Sequence, residues 1–270
     1  MIDLQDVRFT YPDGVQALQG INLQVPDGDR IALVGENGAG KTTLAKHLNG
    51  LLKPTRGRVV VEGHDTRSQS TASLARVVSF VFQNPDEQLF LGSVYDEIAF
   101  GAKNLGYSGK ALEKLIQSAL VATGLQSKAG WHPYDLIPSD RKLLGLASIH
   151  SMNTPIIVLD EPTIGLDHND ISRVASILHT WFRQGRTVII ISHNLDFCAE
   201  HLTRFVVMGQ GQIHADGPAE EVFWDDDLLA RCGLEPPQLV RLAKALGFRR
   251  RPSNIEGFLA AFREQKTRPT

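Results

Sequence analysis

Residues 30–42 read Arg30-Ile31-Ala32-Leu33-Val34-Gly35-Glu36-Asn37-Gly38-Ala39-Gly40-Lys41-Thr42. A short apolar run, 30–34, ends in a glycine-rich turn, and a helix is expected from Lys41 to about Leu52. The turn satisfies G-x-x-x-x-G-K-[ST] at every required position. The residue types explain the chemistry. Glycines let the backbone curl so that successive N–H groups point at one phosphate, and the following helix aims its positive end at the same place. Asn37, Gly38, Ala39, Gly40, Lys41, Thr42 and Thr43 are therefore the expected cradle for ATP. Lys41 brings a full charge to the β- and γ-phosphates, and Thr42 brings a hydroxyl to Mg²⁺. A bare match can arise by chance in a glycine-containing turn. The strand before it and the helix after it argue against chance here.

The second half of the site is expected at Ile156-Ile157-Val158-Leu159-Asp160-Glu161, an apolar strand ending in two carboxylates. Such a strand end puts Asp160 beside the phosphate loop, where it can hold Mg²⁺ through water. Glu161 is the better candidate for polarising an attacking water. Alone, the pair could simply cap a strand; the loop upstream favours the functional reading.

Working outward, residues 2–9 and 17–25 partly alternate apolar and polar around the turn Tyr11-Pro12-Asp13-Gly14, and 59–62 and 77–82 read as further strands. From 93 to about 152 the pattern is helical, clearest over 111–122 and 143–149. Strands at 155–160 and 187–192 then alternate with helices at 169–182 and 195–201, and strands at 205–208 and 212–215 flank Gly209-Gln210-Gly211. Alternation implies an α/β core with a largely parallel sheet. The expected architecture is a P-loop NTPase (RecA-like) core with an N-terminal antiparallel β subdomain. A helical subdomain is inserted at about 85–152, within a domain spanning 1–222, and a helical extension occupies 223–270, with short helices near 237–246 and 255–262.

Composition excludes several classes. With 270 residues, 42% hydrophobic and 21% charged, the chain has length for a buried core and is neither disordered nor fibrous. Its net charge of −2 lacks the basic surplus of a general nucleic-acid binder, so no nucleic-acid partner is expected. Cys198 and Cys232 have no metal-ligand spacing and read as two reduced thiols. No apolar stretch reaches the ~18 residues of a membrane span, and the start does not read as a signal peptide. If the chain serves a membrane, it is expected to dock to another chain on the cytoplasmic face.

Leu159-Asp160-Glu161-Pro162-Thr163-Ile164-Gly165-Leu166-Asp167 strongly resembles the ABC ATPase family, as do Ile191-Ser192-His193 one strand later and Gln83 after the strand over 79–82. With the phosphate loop, these motifs cover residues 1 to about 217 in the family's order. The resemblance implies that Tyr11 stacks on adenine and that Gln83 senses Mg²⁺ and the γ-phosphate. It also implies that Asp167 reaches across a dimer interface and that His193 contacts the γ-phosphate. Taken alone, Tyr11 and His193 would more often be structural. Phe82-Gln83-Asn84-Pro85-Asp86-Glu87-Gln88-Leu89-Phe90 and Val94-Tyr95-Asp96-Glu97-Ile98-Ala99-Phe100-Gly101 are similar to ATPases of energy-coupling-factor (ECF) transporters, which take up vitamins or metal ions such as cobalt and nickel. Leu234-Glu235-Pro236-Pro237 and the short helix after it are similar to that group's dimer-forming tail. The group implies three kinds of partner: a second ATPase subunit, a transmembrane coupling protein and a substrate-binding membrane protein.

One departure matters. The family's signature, Leu-Ser-Gly-Gly-Gln, binds the γ-phosphate of ATP held by the other subunit. Counted back from Asp160 without gaps, its slot reads Leu136-Ile137-Pro138-Ser139-Asp140. Isoleucine replaces the hydroxyl, and Pro138 has no N–H to give. If Asp140 faced that phosphate, its charge at about 5 Å would add repulsion on the order of 3 kcal/mol at an effective dielectric of 20. Asp140 could instead cap the helix and point away, and Ser139 could shift to supply a hydroxyl. The chain is thus expected to offer one good half-site and one poor one, and to act as a heterodimer. Two alternatives stay open: a regulatory nucleotide-binding module with little turnover of its own, and a soluble ABC ATPase outside transport.

Overall fold

The computed structural model describes residues 1–266. Its strands are β1 (Ile2–Thr10), β2 (Gln16–Val25), β3 (Arg30–Val34), β4 (Arg56–Val61), β5 (His64–Asp65), β6 (Val78–Val81), β7 (Ile156–Asp160), β8 (Thr187–Ile191), β9 (Arg204–Gly209) and β10 (Gln212–Gly217). Its α-helices are α1 (Lys41–Leu48), α2 (Thr71–Leu74), α3 (Val94–Asn104), α4 (Gly109–Thr123), α5 (Pro138–Met152), α6 (His168–Arg183), α7 (Leu195–His201), α8 (Ala219–Val222), α9 (Asp226–Arg231), α10 (Gln238–Ala245) and α11 (Ile255–Lys266).

Two sheets form. The N-terminal one is antiparallel, in the order β2-β1-β4-β5. The larger one has the order β10-β9-β3-β8-β7-β6, parallel from β9 to β6, with β10 antiparallel at its edge. Strand β3 explains why the large sheet is central. Its side chains alternate between faces: Ile31 and Leu33 pack with the antiparallel sheet, and Ala32 and Val34 with the helices opposite. Both faces are covered, so the strands can be uniformly apolar.

Strands β6 and β7 are hydrogen-bonded neighbours, so α3, α4 and α5 are a long crossover between them. Helix α5 is longer than the apolar period over 143–149 suggests. Pro138 occupies its first turn, where a missing N–H is tolerated and the fixed φ is suitable. Helix α1 is shorter than expected: it ends at Leu48, and Gly50 follows with φ +71°. After β10 the chain first returns to the main core, through Phe223, Leu228, Leu229, Cys232 and Val240. A small separate cluster of Ala243, Phe248 and Ala261 then joins α10 to α11. Both cysteines are free and buried. Among the described residues, no helix is long and apolar enough to cross a membrane.

Candidate functional site

Strand β3 delivers the phosphate loop and α1 receives it. Two close approaches require glycine. A Cβ on Gly35 (φ +149°) would lie 2.1 Å from the Met208 carbonyl oxygen, and one on Gly40 (φ +97°) 2.6 Å from that of Ala17. Inside the loop, the Lys41 Nζ donates to the carbonyls of Gly35 (2.7 Å) and Glu36 (2.8 Å). Burial lowers the Lys41 pKa, while the charges of Glu161, Asp160 and Glu36 oppose that.

Because β7 lies one strand beyond β8 from β3, its end opens beside the loop. There the Thr42 hydroxyl donates to Asp160 Oδ2 at 2.8 Å. A hydroxyl and a carboxylate oxygen so placed suit a hard cation such as Mg²⁺. Burial raises the Asp160 pKa, against the Thr42 hydrogen bond and the Lys41 charge.

Glu161 sits past the strand end with φ +50°, in the left-handed region side chains seldom adopt. Its N–H donates to the Ile191 carbonyl (2.9 Å). Its carbonyl accepts from Lys142 Nζ (2.9 Å). Its Oε2 accepts from the Ser192 hydroxyl (3.2 Å) and the His193 N–H (3.3 Å). Oε1 is buried with no hydrogen-bond partner among the described residues, and His193 Nε2 lies 3.5 Å away. Oε1 is thus shut off from solvent, with the His193 ring as its nearest polar neighbour. Burial raises the Glu161 pKa, opposed first by His193.

Tyr11 is half-buried; its hydroxyl is 2.9 Å from Thr43 Oγ1, and its ring meets Phe9 edge-on at 4.8 Å. The ring is thus fixed next to α1. Gln83 is exposed beyond β6, lining a recess of about 450 Å³ with Pro138, Arg141, Lys142, Ile164 and Gly165. That position places it next to α5; no hydrogen bond ties it to Thr42 or Asp160 among the described residues. Asp167 caps α6 by accepting from the Asp170 N–H (2.9 Å) and remains exposed.

The signature slot corrects one expectation. Asp140 is only 9% exposed and its carboxylate pairs with Lys128. It is neither turned outward nor the cap of α5, whose N-cap is Ile137 with no side-chain cap bond. The surface of the slot is instead apolar, with Ile137 61% exposed. Two contributors escaped sequence reading, Ser192 and Lys142. The signal for Lys142 was a lysine run directly into Leu143-Leu144, within a buried helix.

Comparison with known proteins identifies the family. The sequence profile of the family described as ABC transporter matches residues 18–164. An ABC transporter ATP-binding protein of Caldanaerobacter subterraneus is 39% identical over 247 residues, covering 92% of this chain and 43% of that protein. The chain spans 39 to 43% of the length of the first curated relatives it matches. The energy-coupling factor transporter ATP-binding protein EcfA of Methanothermobacter thermautotrophicus is 38% identical over 248 residues, covering 91% of this chain and 80% of that protein. The solved structure of cbiO1 from Clostridium perfringens, part of the ABC transporter complex cbiONQ, superimposes with a TM-score of 0.74 at 30% identity, over 91% of this chain and 98% of that one. The chain therefore belongs to the ABC transporter family of ATP-binding proteins, on the energy-coupling-factor side of it.

Proposed function

We propose that the chain is the ATP-binding and hydrolysing subunit of an ECF-type importer for a vitamin or a transition-metal ion. It works on the cytoplasmic face of the membrane, paired with a second ATPase subunit whose signature loop is intact. The observation that carries this reading is an asymmetry within one chain. The phosphate loop, Asp160, Glu161 and His193 converge on one site, whereas the slot at 136–140 presents Ile137 and Pro138.

The residues act as follows. Amides of 37–43 and the Lys41 ammonium grip the β- and γ-phosphates, the ammonium leaving its two loop carbonyls to do so. Thr42 and Asp160 would hold Mg²⁺, which neutralises phosphate charge when bound, with Gln83 reporting on it from the end of β6. Glu161 orients water once its carboxylate opens toward bound nucleotide, and His193, beside Oε1, steadies both Glu161 and the γ-phosphate end. Tyr11 supports the adenine. Asp167 keeps a face toward the second subunit. The extension from 223 onward adds a second dimer contact, consistent with exposed Leu242, Leu246, Ile255 and Leu259.

The transmembrane partner is expected in a groove of about 720 Å³ between the β6 edge and α3. Phe80, Phe82, Phe90, Phe100 and Met152 make its wall apolar, as a docked helix requires. The test is ATP turnover by the isolated chain against the complex co-purified from membranes. Turnover confined to the complex is expected; robust turnover by a homodimer overturns the heterodimer.

A further inference from the structure

Lys142 is buried to 7% exposure in the second turn of α5, flanked by fully buried Leu143 and Leu144. A lysine held this deep needs a reason, because burial disfavours its charge. Its ammonium donates to a backbone oxygen, the Glu161 carbonyl, at 2.9 Å. The charges of Glu161 and Asp160 favour the ammonium against the burial. The carbonyl it grips belongs to a residue in the left-handed region, whose N–H is already fixed on the end of β8. Both peptide groups around Glu161 are thus held, one by the sheet and one by a helix.

That helix has a second role. Four residues before Lys142, α5 begins at Pro138, in the slot that the proposed function turns toward a second subunit. Pro138, Arg141 and Lys142 line one recess with Gln83. A shift of the start of α5 therefore pulls on the Glu161 peptide through a single side chain.

We propose that Lys142 is a positioning residue for hydrolysis: its grip on the Glu161 carbonyl fixes the turn that aims the carboxylate at Ser192 and His193, and links that aim to the partner-facing end of α5. This rests on Glu161 being the residue that orients water, as proposed above. Lys142 acts through Glu161, whose carbonyl it holds.

The test is a double-substitution cycle in the complex purified through a tag on this chain. Lys142→Met, Glu161→Gln and the double variant are compared in single-turnover ATP hydrolysis, with binding of a fluorescent ATP analogue measured separately. Lys142→Met is expected to slow hydrolysis by roughly tenfold or more while changing analogue affinity by less than about twofold, since misplacing a catalytic group costs rate rather than binding. In the Glu161→Gln background it should slow hydrolysis no further. Lys142→Arg, for which the adjoining recess has room, should regain most of the rate. A parent-like rate for Lys142→Met, or the same slowing in both backgrounds, overturns the role. If Glu161→Gln itself keeps full turnover, the reading of Glu161 fails instead. Should thermal melting show that Lys142→Met does not fold, Lys142→Gln is read on the same cycle.

Discussion

Asp140 turns into its own subunit, where its carboxylate is paired with the Lys128 ammonium, and leaves the surface of the slot to Ile137. If the slot meets a partner's nucleotide, as proposed, its weakness is therefore one of missing donors, not of charge repulsion. Asp140→Asn separates the two explanations. It should not speed ATP turnover by the complex, because no repulsion is relieved. It should destabilise the fold by about 1 to 2 kcal/mol, between the values of exposed and buried pairs. Thermal melting and steady-state turnover of the same preparation read both effects; a faster variant would restore the repulsion account.

If donors are what is missing, replacing them should help. Ile137→Ser with Pro138→Gly returns a hydroxyl and a backbone N–H to the start of α5. Loss of one such donor typically costs about 100-fold or more in rate, so even partial recovery should raise turnover at the partner's nucleotide site severalfold. The measurement is ATP hydrolysis by a complex whose other site is silenced by Glu161→Gln in this chain. No gain there would mean that the slot does not contact nucleotide.

Tyr11 is held by the Thr43 hydroxyl and by Phe9. If its ring supports adenine, Tyr11→Ala should weaken ATP binding about tenfold or more, as loss of one base–aromatic stack costs roughly 1 to 3 kcal/mol. Tyr11→Phe keeps the ring and loses only the hydrogen bond, so its affinity should stay within about threefold of the parent. Equal losses in the two variants, measured by equilibrium titration, would assign Tyr11 to loop packing.

Much of this site was legible because its residues follow local rules. Gly35 to Thr42 is one contiguous pattern, and Asp160-Glu161 closes a strand whose apolar run is plain in sequence. The pairings that set the details are not local. Lys142 meets Glu161 only because α5 packs against β6, the neighbour of β7 in the sheet, and Asp140 meets Lys128 only because α5 starts earlier than its apolar period does. Pro138 hid that start: proline breaks a helix interior but suits its first turn. The left-handed backbone of Glu161 was equally invisible, since glutamate has no propensity for it; neighbouring hydrogen bonds impose it.

His150 gives the fold an acid-sensitive point away from the nucleotide. Its ring is 8% exposed, between α5, α4 and α6. The Trp181 indole N–H donates to Nδ1 at 3.2 Å, and indole can only donate, so Nδ1 must be unprotonated. Nε2 then carries the hydrogen and meets Ser118 Oγ at 3.2 Å. A second proton would set one N–H against another. Burial, helped by the nearby Arg186 charge, lowers the pKa to about 4 from 6.5. The unfolded chain binds a proton below pH 6.5 and the folded one does not until about pH 4. The stability contributed is therefore complete above 6.5 and lost as pH falls toward 4. Over the whole interval the loss should be about 3 kcal/mol. His150→Gln removes this titration, so its urea-unfolding free energy should vary less between pH 6.5 and 4 than that of the parent. Equal pH slopes for the two proteins would show that His150 is not the titrating group.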